Sequence, residues 1–336
     1  MNSSRRSRLL WLGIGLVALA VVFIASLGIG AKPLPMQVVI DSLFGTATGP
    51  EATIVVQSRL PRALIGIFGG AALGISGALM QTLTRNPLAD PGIIGVNAGA
   101  GLAVTFGFAF AGITQPYSLF AYSFAGALLT ALLVHLISIK GAARPDPLRF
   151  VLAGLTVGAM MSGISSAIAL LQPQVFNRMR FWMAGSLDVG DLTLVLAAIP
   201  LICVGCLVAL ALSRSVNALE MGVDTAALLG TNPVKTQAAT LLTVALLSGT
   251  VTAVAGPIGF VGLMIPYIAR WAVGPDLRWM LPFAFLYAPV LLLCSDIAGR
   301  LIAAGELRVS IVTAFIGAPV LILLARGRTA GRAAFR

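Results

Sequence analysis

Residues 59–101 read RLPRALIGIFGGAALGISGALMQTLTRNPLADPGIIGVNAGAG, and the physics of this stretch decides the architecture. It opens on Arg59-Leu60-Pro61-Arg62, and an uncharged run from Ala63 to Thr84 follows. At about 1.5 Å per residue, a run of roughly 20 apolar residues spans the ~30 Å hydrocarbon core of a bilayer. Gly66, Gly70 and Gly74 recur at every fourth position, with Gly77 beside them, so one helix face carries almost no side chain. Such a stripe lets a second helix approach backbone to backbone. Pro87 and Pro91 then fall close together. A helix cannot continue through them, so 86–92 is expected to form a structured turn at the membrane surface before a second apolar run.

Outward from this stretch the whole chain has the same character. Of its 336 residues 58% are hydrophobic and 10% charged, and the mean hydropathy is +1.00, the composition of a polytopic membrane protein. The net charge of +11 does not imply a nucleic-acid partner, because the basic residues lie in short loops and tails, where the positive-inside rule puts them. Cys203, Cys206 and Cys294 all lie in apolar runs and suggest no disulfide framework. Arg5, Arg6 and Arg8 precede a long apolar run, which reads as an uncleaved first helix with its basic end in the cytoplasm.

Hydrophobic runs predict ten spans in a single transmembrane domain over residues 1–336: 9–29, 63–84, 93–113, 117–139, 150–171, 192–212, 236–255, 257–273, 280–299 and 309–325. With the N-terminus inside, Lys32, Arg59, Arg62, Arg178, Arg180, Arg300 and Arg308 fall outside and the other 15 of 22 basic residues fall inside, which favours cytoplasmic termini. The eighth span is short, opens with Gly256-Pro-Ile-Gly259 and contains Pro266, so a broken or re-entrant helix is expected there. Between the sixth and seventh spans, residues 217–230 are too polar to cross. Asp224 is expected to cap a short surface helix and Gly230 to end it.

Several chemistries lack their residues. No Asp or Glu lies in the middle of a span, whereas ion-coupled carriers generally bury such groups. No Gly-Lys pair exists to build a nucleotide phosphate loop, and no HExxH occurs. The single histidine, His135, reads as a satisfied structural residue in an apolar helix, and Met160, Met161, Met179, Met183 and Met264 read as packing. Near the outer face, Arg59, Arg62 and Arg300 are either snorkelling side chains or an exposed patch for an acidic partner, with Asp296 one turn before Arg300 as its pair.

These residues meet a family. Arg59-Leu-Pro-Arg62, Gly77-Ala-Leu-Met-Gln81, Asn86-Pro-Leu-Ala-Asp-Pro-Gly92, Gly256-Pro-Ile-Gly-Phe-Val-Gly-Leu263, Ser295-Asp-Ile-Ala-Gly-Arg300 and Glu306-Leu-Arg-Val309 resemble, in order, the FecCD-type permeases. These are the membrane subunits of ABC importers for iron-siderophores, haem and cobalamin. Residues 80–92, Leu148-Arg149, 180–188 and 306–310 are similar to the members that carry ferric catecholates such as ferric enterobactin. The resemblance implies an all-α type II importer permease in the bacterial inner membrane, non-catalytic and without a cofactor. Its implied partners are a second permease subunit, identical or different, two copies of a cytoplasmic ABC ATPase and a periplasmic siderophore-binding protein. By position, Arg59, Arg62 and Arg300 would dock the binding protein, and Asn86 and Leu88 would close the cytoplasmic gate. Leu219, Glu220, Gly222, Asp224, Leu228, Leu229 and Gly230 would couple to the ATPase. One departure is Tyr267, where relatives commonly have histidine. A cobalamin or haem importer and, from another class, a stand-alone secondary transporter are the alternatives.

Overall fold

The computed structural model describes residues 5–30, 32–47, 49–140, 147–302 and 306–333, with side chains to 322. Arg144 and Arg336 of the inside charge set lie outside the described residues. The described residues are helical, without strands. In order they are α1 (Arg5–Gly28), α2 (Met36–Leu43), α3 (Pro50–Thr53), a π-helical segment Ile54–Arg59, α4 (Leu60–Leu83), a 3-10 turn Pro91–Ile94, α5 (Val96–Phe110), α6 (Pro116–Ile139) and α7 (Pro147–Leu171). They continue as α8 (Pro173–Met183), α9 (Leu192–Glu220), α10 (Val223–Leu228), α11 (Pro233–Ala255), α12 (Val261–Ala272), α13 (Leu277–Ile302) and α14 (Val309–Ala333).

Seven of the described helices are long and apolar enough to cross a bilayer: α1, the continuous Pro50–Leu83 segment, α6, α7, α9, α11 and α13. Two of the ten expected spans are shorter: α5 has 15 residues and follows the 3-10 turn, and α12 has 12. α14 has 25 residues. At about 1.5 Å per residue α12 reaches only ~18 Å, and the chain before it is irregular from Gly256 to Phe260. The expected broken helix at 257–273 is therefore present. Its non-helical backbone is tolerated because protein surrounds it: Gly256 packs against the Trp182 carbonyl and Gly185.

The bundle is organised around α4, which packs on α9, α11, α12 and α13 and whose apolar window is 83% buried. The glycine stripe explains why. A Cβ on Gly66 would come within 2.4 Å of the Leu293 side chain, on Gly70 within 2.7 Å of the Pro289 backbone, and on Gly74 within 2.6 Å of Ala288. As α4 ascends, its contacts descend α13, so the two helices run antiparallel with their backbones nearly touching. At the far end Gly77 faces Gly262, where a Cβ would lie 1.8 Å from the Gly262 carbonyl oxygen. At the other extreme, the apolar windows of α1 and α7 are only 11% buried, leaving wide apolar faces on the outside of the bundle.

The contrast between two glycines of α4 gives a test. Gly69 faces only Val251 and Ile65 at ordinary contact distance. Gly77→Ala should destabilise the protein by about 1–3 kcal/mol, because a backbone must move, whereas Gly69→Ala should be near neutral. Thermal unfolding in detergent separates them, and equal melting temperatures would show that the α4–α12 approach is not tight.

Candidate functional site

The helix ends form two polar poles, joined by a groove. At the first pole, Asp296 of α13 accepts from Arg62 Nε at 2.9 Å and from Arg300 Nη2 at 2.6 Å, and Arg62 Nη1 reaches Glu306 Oε2 at 2.7 Å. Arg300 also donates to the Ser26 and Ile29 carbonyls at 3.0 and 2.9 Å, and Arg59 to the Leu27 and Gly28 carbonyls at 2.6 and 2.8 Å and to that of Lys32. The last carbonyls of α1, which have no partner inside their own helix, thus accept from two guanidinium groups at the negative end of the helix dipole. The i,i+4 pairing of Asp296 with Arg300 is as expected, but its setting is not. Arg59, Arg62 and Arg300 are 5%, 6% and 4% exposed, so they are not a solvent-facing patch. The sequence shows their sign and spacing; it does not show that α1 ends where its carbonyls can draw the guanidiniums inward.

The second pole gathers the end of α4, the turn after it, the end of α9 and the α12–α13 junction. Arg85, in the left-handed region at φ 51°, ends α4 and donates to the Leu219 carbonyl at 2.7 Å. Arg270 of α12 pairs with Glu220 at 3.0 Å and donates to Thr82 Oγ1 at 3.3 Å. Asn217 donates to Asp276 at 2.7 Å and accepts from Leu277 N at 3.1 Å. Burial pushes the Asp276 carboxyl up, but the hydrogen bonds from Arg278 and Asn217 outweigh it and leave the group below the usual carboxylate range. Arg85 and Arg270 carried no signal in the sequence as partners of Leu219 and Glu220, because bonds that join positions 134 and 50 residues apart leave no local pattern.

The turn itself is built as expected. Asn86 Oδ1 accepts from Leu88 N at 3.0 Å, an Asx turn, and both residues are exposed. Asp90 accepts from Gly92 N at 2.8 Å and caps the 3-10 turn; burial pushes its carboxyl up, against the pull of that N–H. In the 217–230 segment the assignments shift. Leu219 and Glu220 belong to the last turn of α9, Gly222 at φ 126° is the cap of α10, and Asp224 lies in its first turn instead of capping it. Gly230, at φ 79°, follows the helix end as expected, and Leu228 and Leu229 are 89% and 62% exposed.

Between the poles, α5, α7 and α8 enclose an open cavity of about 930 Å³, near the top of the ~300–1,000 Å³ typical of ligand pockets. Its lining runs from Arg180 and Trp182 of α8, past Ser162 of α7 and Asn97 of α5, down to Gly92 in the 3-10 turn. Elsewhere, Tyr267 is half-buried in α12, and Met179 and Met264 are buried while Met160 and Met183 are exposed, Met183 lining the cavity. His135 is not the satisfied residue expected, since its buried Nδ1 has no hydrogen-bond partner among the described residues.

The profile of the FecCD transport family matches residues 18–327, and the chain belongs to that family. It is 50% identical over 321 residues to FepD, the ferric enterobactin transport system permease protein of Escherichia coli K12, covering 95% of this chain and 96% of the relative. It is 38% identical over 328 residues to YfmD, an Fe(3+)-citrate import system permease protein of Bacillus subtilis, covering 97% of each. It is 33% identical over 331 residues to HmuU, the hemin transport system permease protein of Yersinia pestis, covering 96% and 97%. Among solved structures it is similar to an inward-facing metal-chelate type ABC transporter, with a TM-score of 0.83 at 27% identity over 95% of this chain and 99% of the other.

The first pole makes a quantitative test. Asp296→Ala leaves two buried guanidinium groups short of a counter-charge and should cost about 3–5 kcal/mol. Glu306→Gln, at a side chain 37% exposed that keeps an acceptor for Arg62, should cost under about 1 kcal/mol. Thermal melts of the two variants would come out equal if Asp296 were not the centre of the network.

Proposed function

We propose that this chain is the permease subunit of an ABC importer that carries a ferric catecholate siderophore across the inner membrane into the cytoplasm. The observation that carries it is the groove from Arg180 to Gly92, uncharged below Arg180 and ending at the turn that follows Arg85, which is hydrogen-bonded to the helix end that an ATPase would move. The 50% identity to a ferric enterobactin permease, over nearly the whole of both chains, supports the cargo class.

In this reading the termini and the second pole are cytoplasmic, the first pole is periplasmic, and a second permease subunit covers the exposed apolar face of α7. A cytoplasmic ATPase dimer seats Leu228 and Leu229, and its closure moves α10 and the end of α9. Three links then pass that motion on: Arg85 to the Leu219 carbonyl, and Arg270 to both Glu220 and Thr82. They connect it to the end of α4 and so to Asn86 and Leu88, which gate the groove. Such a gate is a two-state element biased by nucleotide. The binding protein docks on the first pole. Arg59, Arg62 and Arg300 shape that surface from beneath and leave it positively charged, since only Asp296 and Glu306 oppose them in the network.

Uptake of radiolabelled iron as ferric enterobactin, beside labelled cobalamin, in cells with and without this gene is the direct test. Loss of iron uptake alone is expected; loss of cobalamin uptake alone would overturn the cargo assignment. Leu228→Asp with Leu229→Asp should abolish stimulation of ATP hydrolysis by the loaded binding protein and reduce transport at least tenfold. Undiminished stimulation in the assembled complex would move the ATPase contact elsewhere.

A further inference from the structure

Arg180 and Arg308 approach one aromatic ring from two elements. The Arg180 guanidinium carbon lies 5.0 Å from the centroid of Phe181 and that of Arg308 lies 5.4 Å from it. The two come together only in the fold, since α8 and the start of α14 are far apart in sequence. Neither arginine has a carboxylate partner among the described residues, although two positive charges around one ring repel each other. Phe181 is 54% exposed. This is an unbalanced, outward-facing site of guanidinium and aromatic groups.

Its position gives it a use. Arg180 is the one charged residue among those described as lining the cavity, and it stands at the end opposite Gly92, beside Phe176 and Trp182. Below it the lining offers hydroxyls and amides, among them Ser162, Ser166 and Asn97, with no acidic group. A ligand attracted at the mouth would therefore meet neither a repelling carboxylate nor a second cation that would hold it. The mouth is also fixed in place. Arg308 donates to the Phe181 carbonyl, Ser310 to that of Ala184, and Ser186 N to the Ala255 carbonyl at 2.7 Å. Gly185, at φ 55°, lets the chain pass so near Pro257 that a Cβ there would lie 2.3 Å from its carbonyl oxygen. Arg308 is held by its own bond to this backbone and loses little freedom when a ligand arrives, whereas the exposed Arg180 stands on a backbone that is fixed.

We infer that Arg180, Phe181 and Arg308 form a recognition site for an anionic, aromatic iron chelate at the mouth of the groove. The site deepens the ferric-siderophore reading and rests on it. A ferric tris-catecholate presents both features the site lacks within the chain: negatively charged phenolate oxygens for the two guanidiniums, and flat rings for Phe181 and Trp182. A ferric hydroxamate chelate without net charge or aromatic rings would satisfy neither, so the site selects as well as binds.

The experiment uses the purified complex of both permease subunits and the ATPase. Tryptophan quenching is titrated with ferric enterobactin and, separately, with a neutral ferric hydroxamate, and cellular uptake is measured in parallel. Arg180→Gln with Arg308→Gln should weaken ferric enterobactin binding at least tenfold, while Arg180→Lys with Arg308→Lys should recover part of it. Phe181→Leu should weaken it several-fold, and the hydroxamate titration should not change. Equal quenching by wild type and the glutamine variant, with both assembling normally on size exclusion, would overturn the site. So would a loss confined to affinity for the binding protein, which would make the arginines a protein-docking surface. Wild-type uptake reports separately on the function: if wild-type cells take up no ferric enterobactin yet its binding depends on Arg180 and Arg308, the cargo assignment fails and the site for aromatic anions stands.

Discussion

The carboxylate of Asp296 is the point on which the first pole depends. It is fully buried, near the end of a long apolar helix, and stable there only because Arg62 and Arg300 both donate to it. Each arginine in turn reaches a different element: Arg62 the residue Glu306 that precedes α14, and Arg300 the last carbonyls of α1. One buried charge therefore joins α1, α4, α13 and the approach to α14. Without it, Arg300 would lose the counter-charge that holds it against the Ser26 and Ile29 carbonyls at the end of α1.

The same economy governs the helix packing. In a bilayer there is little hydrophobic drive to press helices together, so association rests on close contact and hydrogen bonds. The α4 glycines provide the close contact with α13 and α12, and side-chain bonds at the two poles provide the rest. This division leaves the charged groups at the ends of the bundle, while buried polar side chains in its middle, such as Ser76 and Ser248, are uncharged. It also leaves α5, α7 and α8 less tightly engaged with α4, and the groove opens among them. The elements that line the groove are thus separate from the element that holds the fold.

The turn at 86–92 and the end of α9 show how a local turn can be tied to a distant element. Asn86–Gly92 keeps its shape through short-range bonds, from Asn86 to Leu88 N and from Asp90 to Gly92 N. Its position is set by long-range ones, through Arg85 and Arg270 to the end of α9. A turn that is internally stiff and externally tethered moves as a unit when its tether moves.

By itself the sequence determined the membrane class, the close-packing face of α4, the turn at 86–92, the break before α12 and, through motifs spread along the chain, the family. Each of these depends on local periodicity or on residues such as proline and glycine whose backbone limits hold in any context. Only the tertiary structure decided that Arg59, Arg62 and Arg300 turn inward, since their exposure depends on where the end of α1 lies. It also decided that Asp224 sits inside α10, because Gly222 at φ 126° takes the cap. The pairing of Arg180 with Arg308 around Phe181, and the joining of Arg85 to Leu219, were likewise left to the fold. For the arginines that make hydrogen bonds the physical reason is the same. A charged side chain is long and flexible, its partner is chosen by what the fold brings within about 3 Å, and that distance is not written in the spacing of residues along the chain.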